Sequence, residues 1–422
     1  MKDITGIALF GIVFSGEYMS RSAMAGFIPV MVTVIIVGAY LGLTPATPPT
    51  TVSATSNSTT TIITPDCSAP CAVWTKPSGS NPEALAISPD DSFVAVGNDQ
   101  TLQVFNAQGN ELWSYNTSHV ISSISISSND QYIAVGGWQI EGGPGTAAAY
   151  TNGEVYLFNA ASGKLLWSKD TGSSNPVWKV VLSSDGSKLS VDTENSIMYL
   201  GGAEGNTIWS YSTGGNVVGM DMSADGTLVV ASMGPIVAFN DQGTILWSHP
   251  AMTLAVSVNS VAVSSDGSYV WVGSAVDGYN GSLYLFNKQG VALWQKQIYS
   301  PALSIQTGDN LTTFVSTNWG ALLYGADGSL LKNITSSAIA SIPSGCSPLP
   351  NFWYWSGELA PVAFIDSEGS VISSYNPGGY TNNAALSSDR QYALVASSNE
   401  GSGFSLAFVF LGNPNYQTCE HT

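Results

Sequence analysis

The sequence predicts an all-β chain folded as an eight-bladed β-propeller, with seven blades as the alternative count, and three observations predict it. A phrase made of an aromatic, a polar turn ending in glycine and a tryptophan recurs: FNAQGNELW (105–113), FNAASGKLLW (158–167), FNDQGTILW (239–247) and FNKQGVALW (286–294). The turn glycines Gly109, Gly163, Gly205, Gly243, Gly290, Gly328 and Gly369 are separated by 54, 42, 38, 47, 38 and 41 residues, so one unit returns about every forty. Each unit also carries an apolar run closed by a polar turn, as in ALAISPDD (84–91), SISISSND (123–130), KVVLSSDG (179–186), GMDMSADG (219–226), SVAVSSDG (260–267) and AALSSDR (384–390).

In chain order, the first element is a short cytoplasmic segment, 1–22, with Met19 as a second candidate start. Residues 23–43 then run twenty-one positions without a charge, about 31 Å as a helix, which is long enough to span a bilayer. Lys2 and Arg21 precede this run and no basic residue follows until Lys76. The positive-inside bias therefore predicts a single-pass transmembrane helix in the cell membrane, with the remainder extracellular. A cleaved signal peptide ending near Val37-Gly38-Ala39 is the alternative, and it would make the chain secreted. Residues 44–70 form a stalk: 44–66 hold nine Thr, three Ser and four Pro, too little apolar material for a core.

The repeat region, 71–413, follows, with a tail at 414–422. Each unit reads as four strands: one before the Asp-Gly turn, one after it, a third ending in Phe-Asn, and a fourth carrying Leu-Trp. Adjacent apolar residues such as Leu112-Trp113 point to opposite faces of a strand, so both faces of every sheet need cover, which radial stacking supplies. Trp74, Trp113, Trp167, Trp209, Trp247 and Trp294 are predicted to be structural, bridging neighbouring blades. The stretch 383–411 supplies three strands and lacks a fourth, while CAVWT (71–75) has the spacing of a fourth strand alone. The first strand is therefore predicted to complete the last blade and close the ring. The segment PSGCSPLPNFWYWSG (343–357) departs from the turn pattern, and if it is an insertion the count is seven.

These SSDG turns resemble the SPDG segment of WD40 repeats, and G-x-x-L-W resembles the tryptophan-docking phrase of quinoprotein (PQQ-like) propellers. The resemblance covers 71–411 and implies the architecture, on a membrane-anchored surface protein of the archaeal type, but little chemistry, because this fold hosts many functions. It raises the question of a quinone cofactor, yet no adjacent cysteine pair, Cys-x-x-Cys-His or calcium loop is present. No cofactor, metal or catalytic residue is predicted. The tryptophan phrase lapses at Lys332 and Ser373.

Recognition is expected on long loops of one propeller face. The loop 138–153 of the second blade and 275–281 of the fifth are the longest. The candidate contact residues are Trp138, Gln139, Glu141, Tyr150, Tyr279 and Trp319, with Trp178 and Tyr299 on neighbouring segments. His119, His249 and His421 have no nucleophile motif nearby and read as solvated. Asn57, Asn116, Asn280, Asn310 and Asn333 are glycosylation acceptors. Cys67, Cys71, Cys346 and Cys419 are disulfide candidates whose pairing is open, between a staple across the ring closure and a local Cys67–Cys71 bridge.

With 29 acidic and 11 basic residues, a net charge of −18, the chain repels phosphate backbones and nucleic acid is excluded as a partner. The predicted function is a non-catalytic binding or scaffolding module for an envelope protein or a glycan. The alternative is an extracellular enzyme, either a divergent quinoprotein dehydrogenase or a carbohydrate-active propeller.

Overall fold

The computed structural model describes residues 70–141, 149–213, 217, 219–232, 235–249, 257–275, 280–307, 311–317, 320–334, 339–341, 362–365, 371–387, 391–399 and 403–411, all within the compact unit Thr47–Thr422. Among these residues every regular element is a strand. Six blades are antiparallel four-stranded meanders of consecutive strands, spanning 82–116, 120–172, 177–212, 219–249, 257–298 and 302–334. A seventh four-stranded sheet is composite: the first strand, Cys71–Ser78, lies beside the last, Gly403–Phe410, followed by Tyr392–Asn399 and Tyr380–Leu386. The remaining sheet, Ile339–Ser341, Val362–Ile365 and Val371–Tyr375, has three strands.

The expectation of an eight-bladed wheel with a membrane helix is corrected here. Six regular blades stand beside one composite and one irregular sheet, in which Ile339–Ser341 runs parallel to Val362–Ile365. Parallel neighbours cannot be joined by a tight hairpin, and the residues between these two are those in which the turn phrase is missing. No helix among the described residues is long and apolar enough to cross a membrane. The run 23–43, most of the stalk and the tail lie outside the described residues.

Blades pack through both faces because successive strand residues alternate between them. In the strand Phe93–Asn98, Val94 and Val96 join the core shared with the composite sheet, whereas Ala95 joins the core shared with the second blade. Equivalent cores lie between the second and third, third and fourth, fourth and fifth, and fifth and sixth blades. A further core joins Phe314 and Leu323 of the sixth blade to Val362 and to Val395 and Val409 of the composite sheet.

Between those cores runs a chain of latches. The indole N–H of Trp74 donates to the Ala107 carbonyl (3.2 Å), Trp113 to Ala160 (2.8 Å), Trp167 to Gly202 (2.8 Å), Trp209 to Asp241 (3.1 Å), Trp247 to Lys288 (3.0 Å) and Trp294 to Ala326 (3.0 Å). Each tryptophan thus reaches the turn of the following blade. The turn must be glycine: Gly243 has φ +77°, and a Cβ there would lie 2.7 Å from Cγ of Trp209. The first latch belongs to the composite sheet, whose register pairs Cys71 with Phe410 and Trp74 with Phe408.

Candidate functional site

The second blade carries the longest hairpin of the described chain, formed by Tyr132–Glu141 and Ala149–Asn159. The expected loop 138–153 is therefore largely ladder, with Gln139 opposite Thr151 and Glu141 opposite Ala149. A bulge between Gly137 and Gln139 re-aims the strand. Gly137 allows it, since a Cβ there would lie 2.7 Å from the Val120 carbonyl oxygen. The bulge turns Trp138 inward to 7% exposure, where its ring meets Tyr150 edge to face at 4.7 Å. Trp178, entering from the first strand of the third blade, lies 5.3 Å from Tyr150 and 6.3 Å from Trp138. Tyr150 remains 39% exposed and forms the crest of this aromatic ridge.

Polar groups fix the ridge in place. Asn152 Nδ2 donates to Gln139 Oε1 (3.0 Å) and Glu141 Oε1 (3.1 Å), and Gln139 Nε2 donates to the Ser118 carbonyl (3.4 Å) of the preceding blade's connection. The Trp178 indole donates to Glu194 Oε2 at 3.0 Å. Asn195 bridges to the Ser174 carbonyl (2.9 Å) and Asn175 Oδ1 (3.2 Å), so connections of the second and third blades are tied together at this corner.

The hairpin thus gathers Trp138, Tyr150 and Trp178 on the face toward the third blade, and carries Gln139 and Glu141 on its other face, toward the first. Tyr299, 86% exposed, stands apart between the fifth and sixth blades. Tyr279 and Trp319 lie outside the described residues. Asn152 and Glu194 are additions that sequence reasoning missed. Glu194 sits in the turn between the strands Lys188–Thr193 and Ser196–Gly201, the position topologically equivalent to the long hairpin, and that equivalence was the available signal.

Next to the ridge, His119 departs from its expected solvated state: it is 8% exposed. Its Nδ1 lies 2.7 Å from the Tyr156 hydroxyl, 3.1 Å from the Thr117 carbonyl and 3.5 Å from Glu154 Oε2. Tyr156 donates to the Thr117 carbonyl and lies 3.2 Å from Glu154. Burial, then the Glu154 carboxylate, pushes the Tyr156 hydroxyl far above the usual phenol range, so it stays protonated as a donor. His249 packs its ring 5.2 Å from Phe286. Among the described residues no group of three His, Cys, Asp or Glu is placed to hold a metal ion.

Of the glycosylation candidates, Asn116 and Asn333 are exposed and Asn280 is half-buried; Asn57 and Asn310 lie outside the described residues. Cys71 is disulfide-bonded, and Cys67, Cys346 and Cys419 also lie outside them.

Residues 151–319, from the second blade's hairpin into the sixth blade, match the family model described as outer membrane protein assembly factor BamB (PQQ_2). That stretch is similar to the BamB repeat. The crystal structure of BamB from Moraxella catarrhalis superposes with a TM-score of 0.58 at 15% identity, covering 81% of this chain and 100% of that one. At that identity the BamB likeness carries the propeller fold and no more. No curated protein matches the chain. Of the ridge, Tyr150 and Trp138 precede the BamB-like stretch, and Asn152, Trp178 and Glu194 fall inside it.

Proposed function

We propose that this chain is a non-catalytic binding and scaffolding module of the cell envelope, working outside the cytoplasm and presenting the second-blade ridge to another envelope protein. The observation that carries the reading is the ridge itself: an exposed aromatic crest, braced by amides and carboxylates, on a hairpin that outreaches its neighbours. Rigid aromatic anchors with a polar rim are the features that dominate protein interfaces. The BamB-like stretch supports the same reading, because that family is described as an outer membrane protein assembly factor.

The test is affinity purification of the intact protein from its own membranes, beside the Tyr150→Ala variant, with mass spectrometry of what is retained. A stoichiometric protein partner lost in the variant is the expected result. A tightly held quinone or metal ion in place of a protein would overturn the reading.

A further inference from the structure

We propose that the crest formed by Tyr150 and Trp178 takes an arginine side chain from an extended basic segment of the partner protein. This rests on the scaffolding reading and names the chemistry its face selects. One carboxylate borders the crest, and a second stands on the other face of the same hairpin. Glu194 is held against the Trp178 indole at 3.0 Å, whereas Glu141, held by Asn152 at 3.1 Å, pairs with Ala149 and so points to the face opposite that of Tyr150. These hydrogen bonds fix both side chains in place.

Lys179, adjacent to Trp178, is engaged on the neighbouring blade: its Nζ donates to the Met220 carbonyl at 2.8 Å. The crest carries the Glu194 carboxylate on a chain whose net charge is already −18. An aromatic surface beside a fixed carboxylate attracts a cation through both the ring quadrupole and the charge. A guanidinium suits this arrangement better than an ammonium, because its plane stacks on a ring while its N–H groups reach a carboxylate. Trp138 backs the crest from beneath and keeps Tyr150 upright.

The probe is a fluorescent Gly-Ser peptide carrying two arginines, compared with the same peptide carrying citrulline, which keeps the shape and loses the charge. Binding to the full chain is measured at two salt concentrations. The arginine peptide is expected to bind at least tenfold more tightly than the citrulline peptide, and to weaken as salt rises. Tyr150→Leu, which keeps apolar bulk on the ridge, is expected to lose most of that preference. Glu194→Gln, which keeps a hydrogen-bond acceptor, is expected to reduce it several-fold with unchanged thermal stability, whereas Glu141→Gln, on the other face of the hairpin, is expected to leave it unchanged.

Equal binding of the two peptides, or binding of arginine unaffected by both Tyr150→Leu and Glu194→Gln, overturns the proposal. So does a neutral oligosaccharide whose binding depends on Tyr150, which would make the ridge a glycan platform. If the citrulline control binds equally while Tyr150→Leu still abolishes capture of the membrane partner, the cation claim fails and the scaffold stands. If capture also survives Tyr150→Leu, the assignment of this face as the scaffold's docking surface falls with it.

Discussion

Trp209 is enclosed between Tyr199 at 5.2 Å and Phe239 at 5.3 Å, and it donates to the next blade's turn. Trp209→Ala should therefore cost about 3–5 kcal/mol in chemical denaturation, and Trp209→Phe, which keeps a ring but orphans the Asp241 carbonyl, about 1–3. Charged turn residues make a second, opposed pair. Hydrogen bonds from the Ser187 N–H and the Ser183 hydroxyl hold the Asp185 carboxyl below its ordinary range. Its contribution is present above the ordinary carboxylate pKa and is lost as pH falls through the lowered value. Asp130 behaves the other way: burial, then the Asp90 charge, pushes it up to about 6. Its contribution is full below the ordinary carboxylate pKa and disappears as pH rises through 6. Asp185→Asn should lower the melting temperature at neutral pH but not in strong acid, whereas Asp130→Asn should raise it at neutral pH and leave it unchanged in acid. The recurrent tryptophans and glycines were legible because one phrase repeats them. Asp130 was not, since its φ of +57° and its neighbour Asp90 belong to two turns 40 residues apart that only the ring brings together.

At the level of strands, the inner edges of the third and fourth blades share a charge cluster. Burial pushes the Asp192 and Asp221 carboxyls upward, and Lys179, which reaches across to the Met220 carbonyl, opposes it. Asp221 in turn accepts the Val263 N–H of the fifth blade at 2.8 Å. Lys179→Met would leave two buried carboxylates without their cation, and should cost about 3 kcal/mol at neutral pH. The loss should shrink as acid protonates them, because a neutral carboxyl no longer needs the lysine; thermal melts across pH check this. Strand order and turn positions could be read from period and composition. The inner carboxylates could not, because a single Asp in an apolar run looks the same whether it faces a turn, a lysine or solvent. The second-blade hairpin was legible as an unusual length, but not as a ladder: the bulge at Gly137 that turns Trp138 inward is a matter of register, which composition does not encode.

Across the whole molecule, the excess of 18 negative charges repels itself in the compact state. Raising salt from low ionic strength to about 0.15 M, where the screening length is about 8 Å, should raise the melting temperature, and the gain should level off beyond that. Glu141→Gln and Glu194→Gln should each change this salt response only slightly, which separates general repulsion from the chemistry of the ridge. The composite sheet was legible from a missing strand at one end of the repeats and a spare one at the other. The three-stranded sheet was not, because its parallel pair replaces a hairpin in the stretch where the repeat falls silent. The antiparallel register of the composite sheet also has a mechanical meaning. Cys71 stands opposite Phe410, so the chain enters and leaves at the same rung. A tug on the two ends would peel that ladder open one rung at a time rather than shearing all of them together, and the Cys71 disulfide sits at the rung where peeling would begin.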